Sequence, residues 1–243
     1  MLFRSNLSFE AESSVVLSDG TLLVPFVDHQ PKGDRRRLER PREWLIASTD
    51  GGKTFSESLY ISESCDGRGG WPSLAVNASD GQFRDRIYHI CAREQFAGIQ
   101  IRYSDSRGDR WSDPIRIDRP GNVTPYTRNP ITTVNKDGVV GVAWYDGRDD
   151  PSVAKSIFRC QNIYFTASLD GGLTFLPEIK VSSQRSCPLS PQSTQTALRF
   201  PAGGDYMGMV ATPEGAFHLL WADSRTGTYQ LRTATVTVKA AKR

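Results

Sequence analysis

Apolar and polar residues alternate over short stretches of this chain, and polar turn sequences separate the stretches. Residues 99–103, with the sequence IQIRY, show the alternation of a strand that is buried on one face. Residues 139–144, with the sequence VVGVAW, form an almost continuous apolar run, which is typical of a strand buried on both faces. No long apolar heptad pattern accompanies them. The pattern therefore predicts an all-β protein built from short antiparallel strands.

One turn sequence recurs between these predicted strands. The octapeptide STDGGKTF at residues 48–55 returns as SLDGGLTF at residues 168–175. A third copy, SDSRGDRW at residues 104–111, has Ser106 where the other two have aspartate. Counted from Ser48 to Ser104 and from Ser104 to Ser168, the copies are 56 and 64 residues apart. We expect the aspartate to cap backbone N–H groups, a glycine to take a positive φ, and the aromatic residue to pack beneath the turn.

A repeat of about 60 residues with strand-like flanks predicts a β-propeller of four-stranded antiparallel blades. Four blades are visible, at about residues 12–63, 71–118, 128–182 and 205–238, in a single domain that spans residues 1–243. The fourth blade lacks a clear outermost strand. One explanation is that residues 2–9 supply it and close a small ring. We favour a second explanation, in which the chain is part of, or derived from, a six-bladed propeller and is truncated at its amino terminus. The amino-terminal sequence looks like the tail of an earlier blade.

Composition narrows the function classes without changing this fold. A net charge of +3 is too small to indicate a nucleic-acid-binding protein. No apolar run reaches the length of about 18 residues that a membrane-spanning helix needs. Residues 1–10 contain no hydrophobic signal core, so secretion is not supported. The three histidines are scattered without metal-ligand spacing, so we predict no metal site and no cofactor.

The four cysteines are compatible with two disulfides or with none. Cys160 and Cys187 flank the outer strands of the third blade, and we predict a disulfide between them, with two free thiols as the alternative. Cys65 and Cys91 are a second candidate pair. Because Cys91 falls inside a predicted strand, a buried free thiol is the alternative there.

Antiparallel strand order assigns the polar residues to two ends of the blades. The recurrent turns join the third and fourth strands, whereas the start of the first strand and the end of the second lie at the opposite end. A ring of charged and aromatic side chains at that end is suited to a polar, anionic, sugar-like ligand. The candidates near the central axis are Asp28, His29, Arg93, Glu94, Asp146, Arg148, Asp149, Asp223 and Arg225, with Trp71, Arg128, Asn129 and Tyr206 at strand starts.

These features together resemble the sialidase (neuraminidase) superfamily. The resemblance rests on the turn octapeptides, which look like Asp boxes (bacterial neuraminidase repeats), on the strand ends WYDGR and WADSR at residues 144–148 and 221–225, and on GDYMGM at residues 204–209. It covers nearly the whole chain. It implies a six-bladed propeller in which three arginines hold the substrate carboxylate, a tyrosine helped by a glutamate is the nucleophile, and a loop aspartate is the acid/base.

Carried over residue by residue, the resemblance assigns catalytic roles to three positions. Tyr206, at the start of the last innermost strand, resembles the nucleophile, and Asp28 or Asp34 resembles the acid/base. Arg148 resembles one of the three arginines. The other predicted substrate-binding residues are Arg93, Arg128, Arg225, Asp146, Asp223 and Trp71. A structural alternative is that the Asp and Arg residues of the two repeated strand ends pair between blades.

Two departures from the family pattern bear on activity. Arg128-Asn129-Pro130 stands where the family's glutamate would begin an inner strand, and residues 9–12, FEAE, stand where a Phe/Tyr-Arg-Ile-Pro motif would open the first blade. A nucleophilic tyrosine needs a carboxylate base, because a phenol has an ordinary pKa of about 10. We therefore expect weak sialidase activity or none.

The sequence thus leads to a sialidase-like propeller directed at terminal acidic sugars, and any enzyme would be an exo-α-sialidase-like glycosidase. One alternative is a non-catalytic Asp-box propeller that serves as a binding or structural module. Another is a different exo-glycosidase, or a polysaccharide lyase, on the same scaffold, because fold does not fix chemistry. The resemblance implies an extracytoplasmic location. The compartment and the oligomeric state are left open.

Overall fold

The protein is described by a computed structural model, in which residues 8–11, 13–29, 42–62, 65, 72–92, 98–118, 127–150, 160–187 and 207–239 can be described. Within these residues the structure is all-β and forms four antiparallel sheets. In this part of the chain no helix has the length and apolar character that crossing a bilayer requires. The fold class predicted from alternation and turn signals is therefore confirmed at the level of an all-β chain of bladelike sheets.

The four sheets follow one another along the chain, and we number them blades 1 to 4. Blade 1 contains β1 (Ser8–Ala11), β2 (Val15–Val16), β3 (Leu22–His29), β4 (Arg42–Ser48) and β5 (Leu59–Ser62). Blade 2 contains β6 (Ser73–Val76), β7 (Ile87–Ala92), β8 (Ile99–Ser104) and β9 (Ile115–Arg116). Blade 3 contains β10 (Thr127–Val134), β11 (Val140–Asp146), β12 (Asn162–Ser168) and β13 (Ile179–Lys180). Blade 4 contains β14 (Met207–Ala211), β15 (Phe217–Asp223) and β16 (Gln230–Val236).

The amino-terminal strand corrects one expectation. β1 pairs antiparallel with β3, from Ser8 opposite His29 to Ala11 opposite Phe26. Residues 8 and 9 therefore belong to the inner side of blade 1 and do not supply an outer strand to blade 4. Blade 4 has three strands among the described residues, as expected from its missing outermost strand. The proposal that residues 2–9 close a small ring is wrong for its described part.

Apolar side chains fill the spaces between successive blades. Leu23, Leu45 and Ile87 lie in the core between blades 1 and 2. The core between blades 2 and 3 includes Tyr88, Ile101, Val142 and Trp144. Between blades 3 and 4 it includes Tyr145, Phe165, Phe217 and Trp221. The face of blade 4 turned away from blade 3 is open, with Val210 62 % and Leu231 71 % exposed. The four described blades therefore do not close a ring.

The strand register separates the two ends of each blade. In blade 3, Val140 pairs with Ser168, where the recurrent turn begins, and Asp146 pairs with Asn162 at the other end. Blade 1 has the same polarity, because Leu22 pairs with Ser48. The recurrent turns therefore lie at the opposite end of the blades from Asp146, as the sequence predicted.

The recurrent turns are closed by their own side chains. Asp50 Oδ1 accepts the backbone N–H groups of Lys53 and Thr54 at 3.0 and 2.9 Å, and Ser48 Oγ accepts the N–H of Gly52 at 2.9 Å. Asp170 makes the equivalent bonds in blade 3. In the blade 2 copy, Ser106 Oγ accepts the N–H of Arg110 at 2.8 Å. The copy with serine thus keeps the capping geometry with a weaker, uncharged acceptor.

We expect the Asp50 turn to stabilise the fold less at low pH. The side-chain hydroxyl and backbone N–H of Thr54, followed by the hydroxyl of Ser48, lower the pKa of Asp50 from 3.8 to about 2. A carboxylate whose pKa is lower in the folded state than in the unfolded state stabilises the fold at any pH above its unfolded-state pKa. This stabilisation is lost as the pH falls through the folded-state pKa. The free energies of unfolding of wild type and Asp50→Asn, measured in urea, should therefore differ most above about pH 4, near the unfolded-state pKa. They should converge towards about pH 2, near the folded-state pKa. A difference that does not change over this range would contradict the assignment.

Arg86 links two blades at the turn end. Its guanidinium forms a bidentate pair with Asp105, at 2.7 Å for both contacts, and donates to the backbone carbonyl of Gly171 at 2.8 Å. The same group lies over the rings of Phe83 and Tyr103, at 4.3 and 4.1 Å from their centroids. Because the hydrogen bond to Gly171 joins blade 2 to the turn of blade 3, this end of the molecule has a structural role.

Candidate functional site at the ends of blades 3 and 4

The second strands of blades 3 and 4 end in the same local arrangement. Asp146 is fully buried and accepts hydrogen bonds from Trp144 Nε1 at 3.0 Å and from the backbone N–H of Arg148 at 2.8 Å. The Arg148 side chain returns to the same carboxylate, with Nε at 2.9 Å and Nη2 at 2.6 Å. The Trp-x-Asp-x-Arg sequence therefore forms a closed unit around one buried carboxylate.

Asp223 is the centre of the corresponding unit in blade 4. It accepts from Trp221 Nε1 at 3.2 Å, from the backbone N–H of Arg225 at 2.9 Å, and from Arg225 Nε and Nη2 at 2.8 and 2.6 Å. Burial opposes the ionisation of Asp223, but the bonds from Arg225 and Trp221 outweigh it and lower the pKa. Each Asp–Arg pair thus forms within its own strand end. The expectation that these residues pair between blades is wrong for these contacts.

Arg148 has a second carboxylate partner that the sequence did not indicate. Its Nη1 and Nη2 atoms contact the carboxylate of Glu178, which lies 30 residues away in the sequence. The guanidinium also lies 4.5 Å from the ring centroid of Tyr164. Burial disfavours the charge on Arg148, but Asp146 and Glu178 raise its pKa above the usual range. These contacts give Arg148 a structural role, and its predicted role towards a ligand carboxylate stays a prediction.

A distortion in the innermost strand of blade 3 positions Arg128. The register between β10 and β11 shifts between Arg128 and Ile131, and Asn129 has a φ of 48°. A positive φ at a residue other than glycine is uncommon, and bulges of this kind re-aim side chains next to binding sites. Arg128 is 7 % exposed, and its guanidinium lies 5.4 Å from the ring centroid of Tyr145. The strand start thus holds a nearly buried cation against an aromatic ring.

The charge of Arg128 acts on two tyrosines. The Tyr145 hydroxyl donates to the carbonyl of Ala222 at 3.0 Å and accepts its N–H at 3.1 Å, which joins blades 3 and 4. Burial raises the pKa of Tyr145 to about 12, against the opposing charge of Arg128. Burial also raises the pKa of Tyr229, and Arg128 again opposes the rise. Arg128 and Tyr145 are in contact at the junction of blades 3 and 4, and the charge of Arg128 also acts on Tyr229; we call this group the Arg128 site.

The sequence indicated only part of this arrangement. It identified Arg128, Asp146, Arg148, Asp223 and Arg225, and these residues lie at strand starts and strand ends as expected. It missed Tyr145, Tyr229 and Glu178 as neighbours. The aromatic residue inside WYDGR was the one available signal for Tyr145.

The structure does not describe the side chains of the other predicted catalytic and substrate-binding residues. Tyr206, Asp34, Arg93 and Trp71 lie outside the described residues. The backbone of Asp28 pairs with Arg42 in β3–β4, and its side chain is outside the described part.

Asp149 differs from its predicted position near the central axis. Its Oδ2 atom accepts from Asn162 at 2.7 Å, from the Tyr164 hydroxyl at 2.9 Å and from Lys180 Nζ at 3.1 Å. Lys180 belongs to β13, the outermost strand of blade 3. Asp149 therefore lines a polar cleft of about 430 Å³ on the outer side of the blade, together with Arg185.

No family model and no curated protein matches the chain. Its fold is similar to that of Hadza microbial sialidase Hz136, with a TM-score of 0.56 and 15 % identity over 93 % of this chain and 44 % of that one. The α-L-arabinanase of Penicillium chrysogenum, complexed with arabinobiose, has a TM-score of 0.54 and 18 % identity over 94 % and 61 %. A PL25 ulvan lyase has a TM-score of 0.52 and 12 % identity over 92 % and 52 %.

These similarities establish the fold. The chain shares the bladed all-β architecture of sialidases, an arabinanase and a polysaccharide lyase. It spans 44 % to 61 % of the length of the three structures.

Proposed function

We propose that this protein recognises terminal acidic sugars and that the Arg128 site is part of the binding surface. The observation that carries the proposal is a nearly buried arginine at the start of an innermost strand, with its guanidinium 5.4 Å from the ring centroid of Tyr145. Three structural relatives, named as a sialidase, an arabinanase and a ulvan lyase, support a carbohydrate ligand. The proposal counts the four described blades among those of a six-bladed Asp-box propeller.

The chemistry of the Arg128 site favours an acidic sugar over a neutral one. A guanidinium presents planar donors that match a carboxylate, and a charge-assisted pair is about twice as strong as a neutral hydrogen bond. A low-dielectric surrounding strengthens that attraction. Tyr229, which is partly exposed, can supply an apolar ring face and a hydroxyl to a sugar, whereas the fully buried Tyr145 supports Arg128 from within the blade junction. Arg148 and Arg225 are the other arginines that we propose near the ligand.

Catalysis would depend on residues other than the carboxylates described at this end. Asp146 and Asp223 each accept bonds from a tryptophan and an arginine. A carboxylate held in this way is a poor proton acceptor for a nucleophilic tyrosine. The proposed nucleophile is Tyr206, with Asp28 or Asp34 as the acid/base. We therefore propose that any activity is exo-α-sialidase-like, and we expect the protein to hydrolyse sialosides slowly or not at all.

The same occupied carboxylates favour a second candidate function, a binding module without turnover. In that case the Arg128 site recognises the sugar and no reaction follows. Other exo-glycosidase or lyase activities are tested by assaying further substrates. The names of two structural relatives suggest an arabinoside and a uronate-containing polysaccharide.

Replacing Arg128 by methionine should weaken binding of a sialoside by about tenfold or more, because the charge-assisted pair is lost while side-chain volume is kept. Isothermal titration calorimetry with sialyllactose and with lactose measures this effect and its dependence on the acidic group. Arg110→Met is the matched control, since Arg110 is exposed at the opposite end of the blades.

Two results would contradict the proposal. One is equal affinity for sialyllactose and lactose, which would remove the acidic group from recognition. The other is unchanged sialoside binding in Arg128→Met when its circular dichroism spectrum matches wild type. If Arg110→Met loses as much sialoside affinity as Arg128→Met, the loss reflects overall charge rather than a specific contact, and the Arg128 site is not supported.

A further inference from the structure

Two buried polar side chains face each other between blades 1 and 2. Glu43, on β4, is 3 % exposed, and His89, on β7, is 2 % exposed. Glu43 Oε2 and His89 Nε2 lie 3.0 Å apart. Neither atom makes a hydrogen bond of acceptable geometry to any described residue. A buried polar atom without a hydrogen bond is costly, and its presence calls for an explanation such as a bound ion.

Two cysteines complete a group of four around this contact. Cys91 lies two residues after His89 on β7, so both side chains point to the same face of the strand. Cys65 follows β5 of blade 1 and forms a disulfide with Cys91, with a Cα–Cα distance of 5.8 Å. Both cysteines are buried. One atom from each of Glu43, Cys65, His89 and Cys91 lies within 4.8 Å of the other three.

The composition of this group matches zinc. Thiolate sulfur, imidazole nitrogen and carboxylate oxygen are the zinc ligands of proteins, and four of them in a closed, buried set are typical of a structural site. Gln100 Nε2 lies 3.4 Å from Cys91 Sγ and 3.7 Å from Cys65 Sγ, where it can donate to sulfur. Donors of this kind orient and stabilise thiolate ligands.

We propose that the reduced form of this protein binds one Zn²⁺ ion through Glu43, Cys65, His89 and Cys91. A phosphine reductant cleaves the Cys65–Cys91 bond and becomes a phosphine oxide, with its oxygen and the two thiol protons supplied by water. Zn²⁺ then displaces both protons and binds the two thiolates, the Glu43 carboxylate and His89 Nε2. The disulfide and the zinc ion are thus alternative links between blades 1 and 2.

Sequence spacing does not reveal this site, because its ligands come from two blades. Glu43 and Cys65 belong to blade 1 and its exit, whereas His89 and Cys91 belong to blade 2. The proposal is independent of the carbohydrate function. It concerns the interior between two blades rather than the Arg128 site.

Cobalt titration of the full chain tests the proposal. After reduction by tris(2-carboxyethyl)phosphine under argon, we expect one equivalent of Co²⁺ to produce a thiolate-to-cobalt charge-transfer band that Zn²⁺ abolishes. The oxidised chain should show no such band. Glu43→Gln and His89→Gln should each weaken zinc binding by about tenfold or more, at least the effect of losing an outer-shell partner.

A matched control separates this site from thiols in general. The double variant Cys160→Ser/Cys187→Ser removes the other disulfide and should still bind one equivalent of metal. The proposal is overturned if the reduced wild type binds no metal. It is equally overturned if Glu43→Gln and His89→Gln bind zinc as tightly as wild type, or if the double variant loses the band. Both glutamine variants retain all four cysteines, so circular dichroism of their oxidised forms checks the fold separately.

Discussion

Asp146→Ala should lower the free energy of unfolding by about 3 kcal/mol or more, the scale of breaking a buried charge pair. The fully buried Asp146 carboxylate is the acceptor for Trp144 Nε1, for the backbone N–H of Arg148 and for its guanidinium. Its removal leaves these donors without that acceptor and opens a small cavity. Glu178 still contacts Arg148, which limits the loss. Urea unfolding at neutral pH, with the disulfides intact, measures the change.

The control for this prediction is Asp113→Ala. Asp113 is exposed, so its removal should change the free energy of unfolding by about 0.5 kcal/mol or less. If both variants unfold at the same urea concentration, the buried Trp-Asp-Arg unit does not hold the end of blade 3. A large effect would support the structural role of the unit, and Asp223→Ala should behave in the same way because its contacts are equivalent.

The strands could be predicted from the sequence because their alternation is local. Residues 99–103 were predicted to lie in a strand, and β8 spans Ile99–Ser104. The pairing of β1 with β3 in blade 1 was not predicted, because the four residues of β1, SFEA, are too short a stretch to show a clear period. The turn contacts of Asp50 were also predictable. They join residues within one octapeptide, and a capping aspartate acts on its immediate neighbours.

The surroundings of the candidate site were less predictable, because they depend on contacts between distant residues. Antiparallel order was sufficient to place Asp146 and Asp223 at one end of their blades. It could not indicate that Glu178 reaches Arg148 from 30 residues away, or that Tyr145 bonds to Ala222 from 77 residues away. The two disulfides show the same limit. Cys160–Cys187 was predicted from flanking strands, whereas the Cys65–Cys91 pair remained open until the blades were in place.

Substitution of Tyr206, the proposed nucleophile, tests whether the protein hydrolyses acidic sugars by the proposed mechanism. If the wild type hydrolyses a fluorogenic sialoside, Tyr206→Phe should reduce kcat by at least about a hundredfold, because the nucleophilic oxygen is removed while the ring is kept. Tyr206 directly precedes β14 in the sequence, and β14 begins with Met207 opposite Trp221, at the end of β15 that carries Asp223. Sialyllactose binding should change much less than kcat.

The contacts of Asp223 make it a poor substitute for the carboxylate base that Tyr206 would need. An ordinary phenol has a pKa of about 10, so a tyrosine nucleophile requires a nearby carboxylate to accept its proton. Arg225 and Trp221 hold Asp223 ionised and lower its pKa, which makes it a weak base. We therefore expect wild-type turnover to be slow and to fall further in Tyr206→Phe. Rapid hydrolysis that persists in Tyr206→Phe would refute the proposed nucleophile. Tight sialyllactose binding without hydrolysis in the wild type would instead identify a binding module, in which the occupied carboxylates at Asp146 and Asp223 stabilise the blades and take no part in chemistry.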